Sequence, residues 1–243
     1  MHPAADHEKN ETRYFSGWWA LLFILLSLNL FPLPFALLID SLGHWVYLNP
    51  VTVDMSYLGS VSMHPIADNL ISILSMTTLV FFILWRMKIR NIPYSDIGAL
   101  DFNPRDLYLS IFILAIFIAF EEIYMLLLDI EIPQGFIEFM LSDPILLSLV
   151  SVIIIAPIAE EFIFRGFLYS QLSRTKLGPW GSVGLISFFW TIIHFQYEIK
   201  ILVVLFFFGL FLGYLRIAYK SLGLPIIVHA INNLFAFSIA FYV

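Results

Sequence analysis

Glu160 and Glu161 stand side by side in the stretch APIAEEFIFRGF (Ala156 to Phe167), with Arg165 four residues beyond the second of them. The surrounding residues are apolar enough to cross a bilayer, and one charged side chain at the centre of such a helix costs roughly 2.5–3.5 kcal/mol on insertion scales. On a helix, residues four apart lie about 40° apart in projection, so Glu161 and Arg165 stack and neutralise each other. Glu160 sits about 140° around from Arg165 and needs another partner. This reading makes Glu161 and Arg165 a brace and Glu160 the working carboxylate; the plainer one makes all three a structural ion-pair knot. Pro157 lacks the N–H for the Ile153 carbonyl, which predicts a kink just before the pair, and small Ala156 leaves room for water beside Glu160.

Two later apolar stretches carry matching polar groups. His194 follows GLISFFWTII, with Trp190 one turn earlier on the same face, and His229 and Asn233 stand four apart in LPIIVHAINNLFAF. A lone intramembrane histidine is more often a hydrogen-bonded packing residue than a catalyst. One carboxylate, two imidazoles and an amide on three successive helices are another matter: together they can activate a water and stabilise an oxyanion.

In this order the motifs EEFIFR (Glu160 to Arg165), WTIIH (Trp190 to His194) and HAINN (His229 to Asn233) resemble those of the CAAX-protease and bacteriocin-processing (CPBP) intramembrane proteases. This family, also called Abi, includes the type II prenyl-protein endopeptidase. Trp190 stands where the family usually has Phe, and the resemblance covers about residues 144–243. It implies peptide-bond hydrolysis within the bilayer, with Glu160 as general base, His194 as its partner in holding the water, and His229 and Asn233 as oxyanion donors. Glu161, Arg165 and Trp190 fall in supporting positions. The implied substrate is a peptide or protein, prenylated or membrane-anchored in some members. The same motifs have a metalloprotease reading, in which Glu160, His194 and His229 hold Zn²⁺ with water as the fourth ligand. No HExxH is present, and the metal-free version, with no cofactor, is preferred.

The elements that must position these groups follow from composition. Of 243 residues 60% are hydrophobic and only 12% charged, and the mean hydropathy is +0.91. Such a chain is an integral membrane protein, and its runs of about 20 apolar residues suit helices and not the short alternating strands of a barrel. The fold class expected is all-α, a polytopic membrane helix bundle of about seven transmembrane helices, near 15–39, 69–88, 107–128, 144–172, 179–197, 199–219 and 224–242. Residues 1–243 read as a single integral membrane domain with a polar tail at 1–13, free of internal repeats.

With the N-terminus cytoplasmic, Lys9, Arg13, Arg86, Lys88, Arg90, Arg105, Arg174, Lys176, Arg216 and Lys220 all fall inside, as the positive-inside rule requires. Arg165 lies within a helix, and only Lys200 falls outside. The C-terminus is then outside, and a prokaryotic plasma membrane is the expected location, with the lipid bilayer itself as partner. No basic field suggests nucleic acid, and the absence of cysteine removes thiolate ligands and a cysteine nucleophile.

Depth along each helix sets a condition. His194 falls about 22 Å below Pro179 but His229 only about 8 Å below Leu224. The two meet only if the fourth and fifth helices project beyond the cytoplasmic surface, which predicts a cavity about 10 Å deep open to the cytoplasm.

Other readings stay open at this level. Glu121 and Glu122, in IAFEEIYMLLL, have no arginine on their helix face and read as a pair near water or bonded to a neighbouring helix. With Glu160 and the histidines they would instead suit a proton-coupled transporter, although inverted repeats and several broken helices are missing. A non-catalytic immunity or scaffold protein is a third class. SRTK (Ser173 to Lys176) matches Ser-x-x-Lys only formally, in a loop. GLFLG (Gly209 to Gly213) reads as a packing face, and the sequon Asn10–Glu11–Thr12 falls on the cytoplasmic side.

Overall fold

The computed structural model describes residues 14–47, 65–141 and 144–242. The polar tail and the sequon lie outside the described residues. The described chain is a bundle of helices without a β-sheet. Helices α1 (Gly17–Leu30) and α2 (Pro32–Tyr47) follow one another almost without interruption, and α3 (Pro65–Ile89) returns along them. A short 3₁₀ turn, Tyr94–Ile97, leads to α4 (Pro104–Leu127). Asn103 caps α4, its Oδ1 accepting from the Arg105 N–H at 2.9 Å, with Pro104 in the first turn. After a short α5 (Gln134–Met140) comes the central element, α6 (Ile145–Leu172), followed by α7 (Gly178–Ile192), α8 (Ile199–Tyr219) and α9 (Gly223–Ile239).

Each of the seven expected segments corresponds to helix. Five are long and apolar enough to span a bilayer: Gly17–Ile39, Ala67–Ile89, Pro104–Leu127, Ile145–Leu172 and Ile199–Tyr219. The protein is thus a polytopic helical membrane protein, and large apolar side chains such as Trp19, Phe81, Phe120 and Phe207 remain exposed on the bundle's outer surface, as contact with lipid requires. The other two are shorter. Helix α7 has 15 residues and α9 has 17, about 22 and 25 Å against a hydrocarbon core of about 30 Å. Both pack beside α6, whose Ile163, Phe164, Leu168 and Leu172 are buried in the main core.

Helix α9 is short because it begins inside the bundle. Its first turn is joined to the connection before α4: Leu222 N–H donates to the Ala99 carbonyl at 2.6 Å, and Gly223 approaches the Leu100 carbonyl so closely that no β-carbon fits. Leu222 lies beside Gly166 of α6, six residues before that helix ends. Helix α6 therefore runs on past the start of α9, and the depth mismatch between His194 and His229 disappears.

Candidate active site

Helix α6 carries the two glutamates between two wider, π-helical stretches, Val150–Ile155 and Phe162–Leu168, in which main-chain bonds shift from the fourth to the fifth residue. The predicted kink at Pro157 takes this form. In a π turn the missing Pro157 N–H orphans the carbonyl of Val152, not that of Ile153. Asn233 of α9 supplies the donor, its Nδ2 lying 2.9 Å from the Val152 oxygen. The sequence places Asn233 at an oxyanion; the structure shows one of its amide hydrogens holding α9 to α6.

Glu161 is fully buried. Its Oε1 accepts from Arg165 Nη1 at 2.8 Å and faces His229 Nδ1 at 2.9 Å. The expected brace is present, and it holds a third member: a buried carboxylate that accepts from Nδ1 sets the imidazole's orientation and directs its other nitrogen elsewhere. Arg165 also donates through Nη2 to the Gly209 carbonyl of α8 at 3.0 Å, and its guanidinium carbon lies 4.9 Å from the centre of the Trp190 ring. Burying these charges is tolerable because each is met by an opposite charge or a polar partner.

Glu160 finds a different partner. The Trp190 indole N–H donates to its Oε2 at 2.6 Å, and Oε1 carries no hydrogen bond among the described residues. The Trp190 ring lies 5.0 Å from the His194 ring and 5.7 Å from the His229 ring, centre to centre. The sequence places His194 within a helix spanning 179–197. The helix instead stops at Ile192, and His194 sits in the turns that follow, where its N–H reaches the Thr191 carbonyl. Its Nδ1 lies 2.8 Å from the Trp190 carbonyl. A carbonyl only accepts, so Nδ1 carries the hydrogen, and in the neutral ring Nε2 keeps its lone pair.

Glu160, Trp190, His194, His229 and Asn233 all line one cavity of about 670 Å³. Its walls are largely apolar, with Phe136, Phe139, Leu205 and Phe208 among them, and it lies beneath the connections from α4 to α6 and from α7 to α8. Exposed Asp129 and Gln196 form part of the rim. This is the opposite end of the bundle from Arg174, Lys176, Arg216 and Lys220. The cavity, expected beside the basic helix ends, thus lies at the other end of the bundle: the segment 92–102 and the buried start of α9 close the basic end. Arg216 ties the closure together, donating to the Arg165 carbonyl at 3.1 Å and to the Asp96 carbonyl at 3.4 Å.

Sequence reasoning missed three groups of this cavity. Asn232, next to Asn233, lines it. Tyr197 does too, stacked on His194 at 6.3 Å, and burial pushes its phenol above the usual range, so it stays a proton donor. Glu121 and Glu122, set apart from the site on sequence grounds, share the same walls. Their signal was the cost of two carboxylates in an apolar run, the argument that singled out Glu160 and Glu161. The zinc set Glu160, His194 and His229 is not assembled: among the described residues no three His, Asp or Glu side chains converge to hold a metal ion.

Comparison with known families meets this geometry at the same residues. Residues 142–235 match the family model of type II CAAX prenyl endopeptidase Rce1-like proteins, a segment that contains all three motifs. The resemblance drawn from those motifs is borne out, and a CAAX-protease-like intramembrane endopeptidase is the class of activity it supports. No curated protein and no solved structure matches the chain.

Proposed function

We propose that this protein is an intramembrane endopeptidase in which Glu160 and His194 activate a water held between them in the cavity. Trp190 fixes Oε2 of Glu160, which leaves Oε1 to take the water's proton. His194, with Nδ1 committed to the Trp190 carbonyl, offers Nε2 to the same water. The hydroxide adds to the scissile carbonyl carbon, and the C=O electrons move to oxygen. His229, whose Nδ1 is held by Glu161, stabilises that oxyanion when protonated, as a carboxylate-paired imidazole can. The second Nδ2 hydrogen of Asn233 is the other donor. Collapse breaks the C–N bond as Glu160 returns its proton to the leaving amine, so that water is divided between the new acid and the new amine. No step is routed through a metal.

The observation that carries this reading is the meeting of Glu160, His194 and His229 around the Trp190 ring on the wall of one cavity. With the basic ends of the helices cytoplasmic, that cavity faces the other side of a prokaryotic plasma membrane and takes substrate there.

The test is to incubate the purified full-length protein with prenylated and unprenylated peptides, beside Glu160→Ala and with a chelator. Cleavage abolished by the substitution and indifferent to the chelator supports this mechanism. Chelator sensitivity replaces it with the metalloprotease, and no cleavage in any arm moves the reading to a scaffold. Glu121 and Glu122 in the same cavity as Glu160 favour one second reading, a proton-coupled transporter. Proton flux in proteoliposomes, lost on Glu121→Gln, would establish it.

A further inference from the structure

The walls of the cavity hold several acidic side chains and no Lys or Arg. Glu121 and Glu122 lie about 7–9 Å inside the end of α4, Asp129 lies at the rim, and Glu160 stands at the candidate catalytic group, while no Lys or Arg is among the residues that line the space. The two basic side chains closest in the chain to lining residues are already engaged. Lys200 donates to the Leu128 carbonyl at 3.1 Å, and Arg165 is committed to Glu161 and Gly209. Between the carboxylates the walls are apolar, with Met125, Ile130, Phe136 and Ile201 among them. A ligand that ends in a free carboxylate would find no Lys or Arg on the walls to receive it and several carboxyl groups around it. An apolar segment with a guanidinium or ammonium group would find both of its halves matched.

We propose that the cavity captures an apolar peptide segment bearing a basic side chain near the scissile bond, in preference to an acidic segment or one ending in a free carboxylate. Glu121 and Glu122 are the specificity-determining residues. The aliphatic part of the chain lies along the apolar wall and the basic head reaches the carboxylates, as long cationic side chains do at such boundaries. The proposal rests on the endopeptidase reading for the fate of the segment, not for its capture.

The experiment uses full-length protein carrying Glu160→Gln, in nanodiscs of zwitterionic lipid, so that binding is read without cleavage. Three peptides with one apolar core and a neutral dye are titrated by fluorescence anisotropy: one with Lys and Arg flanks and an amidated end, one with Glu flanks and an amidated end, and one without flanks and with a free carboxylate. The basic peptide should bind at least about tenfold tighter than either of the others. Added Glu121→Gln and Glu122→Gln should bring the three within about twofold. Should that variant fail to fold, Glu122→Lys alone should reverse the order of the basic and acidic peptides. Equal affinities, a preference for the free carboxylate, no binding of any peptide, or a basic preference that survives these substitutions overturns the proposal. Cleavage by the unsubstituted protein is then measured separately. A basic peptide that binds and is not cut sinks the endopeptidase reading alone, and cutting without charge preference sinks this proposal alone.

Discussion

The indole N–H of Trp190 lies 2.6 Å from Glu160 Oε2, while the main-chain oxygen of the same residue accepts from His194 Nδ1 at 2.8 Å. One residue thus sets the orientation of both groups proposed to hold the water. A phenylalanine, usual at this position in the family it resembles, would offer the ring and the carbonyl but no donor. Trp190→Phe should therefore leave His194 anchored and let Glu160 rotate. A hydrogen bond to a charged group is worth about 1.5–3 kcal/mol. We expect kcat to fall about tenfold, with KM little changed and the thermal midpoint in detergent lowered modestly. Unchanged kcat in steady-state kinetics would show that the donor is dispensable.

The adjacent glutamates should separate cleanly. Removing the Glu161 carboxylate strands Arg165 and His229, both buried, and breaking a buried pair costs about 3–5 kcal/mol. Removing that of Glu160 leaves only an indole N–H without its acceptor, about 1–3 kcal/mol. Glu160→Ala should be folded and inactive, and Glu161→Ala should accumulate poorly and elute broadly on size exclusion. Equal thermal midpoints for the two variants would contradict this division of labour.

The same contrast shows what the sequence discloses. The Glu161–Arg165 pair follows from helical spacing, because both partners lie on one turn, and the shared cavity of Glu160, His194 and His229 follows from the cost of each polar group in lipid. The His229–Glu161 bond spans 68 residues and needs the bundle's register, which hydropathy does not carry. The end of α7 at Ile192 was hidden by an apolar run that continues to Ile193 and resumes at Phe195 after His194. The direction of the cavity was missed because depth along each helix was counted from a common surface, whereas α9 starts deep, held to Ala99 and Leu100.

Close packing between α7 and α8 gives a stability prediction. A β-carbon on Gly213 would collide with both methyl groups of Val183, a β-branched side chain with little freedom to turn away. Gly213→Ala should destabilise by about 1–3 kcal/mol, and Val183→Ala should restore much of that in the double variant. At Gly209 the same methyl would stand 3.1 Å from Ser187, 3.2 Å from Trp190 and 3.3 Å from Arg165. Gly209→Ala should therefore cost activity more than stability, since it presses on the ring that orients Glu160. Thermal unfolding alongside kcat for both variants checks the difference, and equal losses of kcat would remove the special place given to Trp190.

The side of the membrane on which the cavity opens can be read directly, because the chain has no cysteine and any single cysteine is a clean probe. Gln196 is exposed and lines the cavity, and Lys176 is exposed at the basic end. With the basic ends cytoplasmic, Gln196→Cys should react with a membrane-impermeant maleimide in intact cells, and Lys176→Cys only after permeabilisation. The reverse pattern would place the cavity in the cytoplasm and move its substrates there. A bound peptide gives the same experiment a second reading. It should slow labelling at position 196, where the cavity is occupied, and leave position 176 unaffected; equal rates with and without peptide would mean that the segment binds elsewhere.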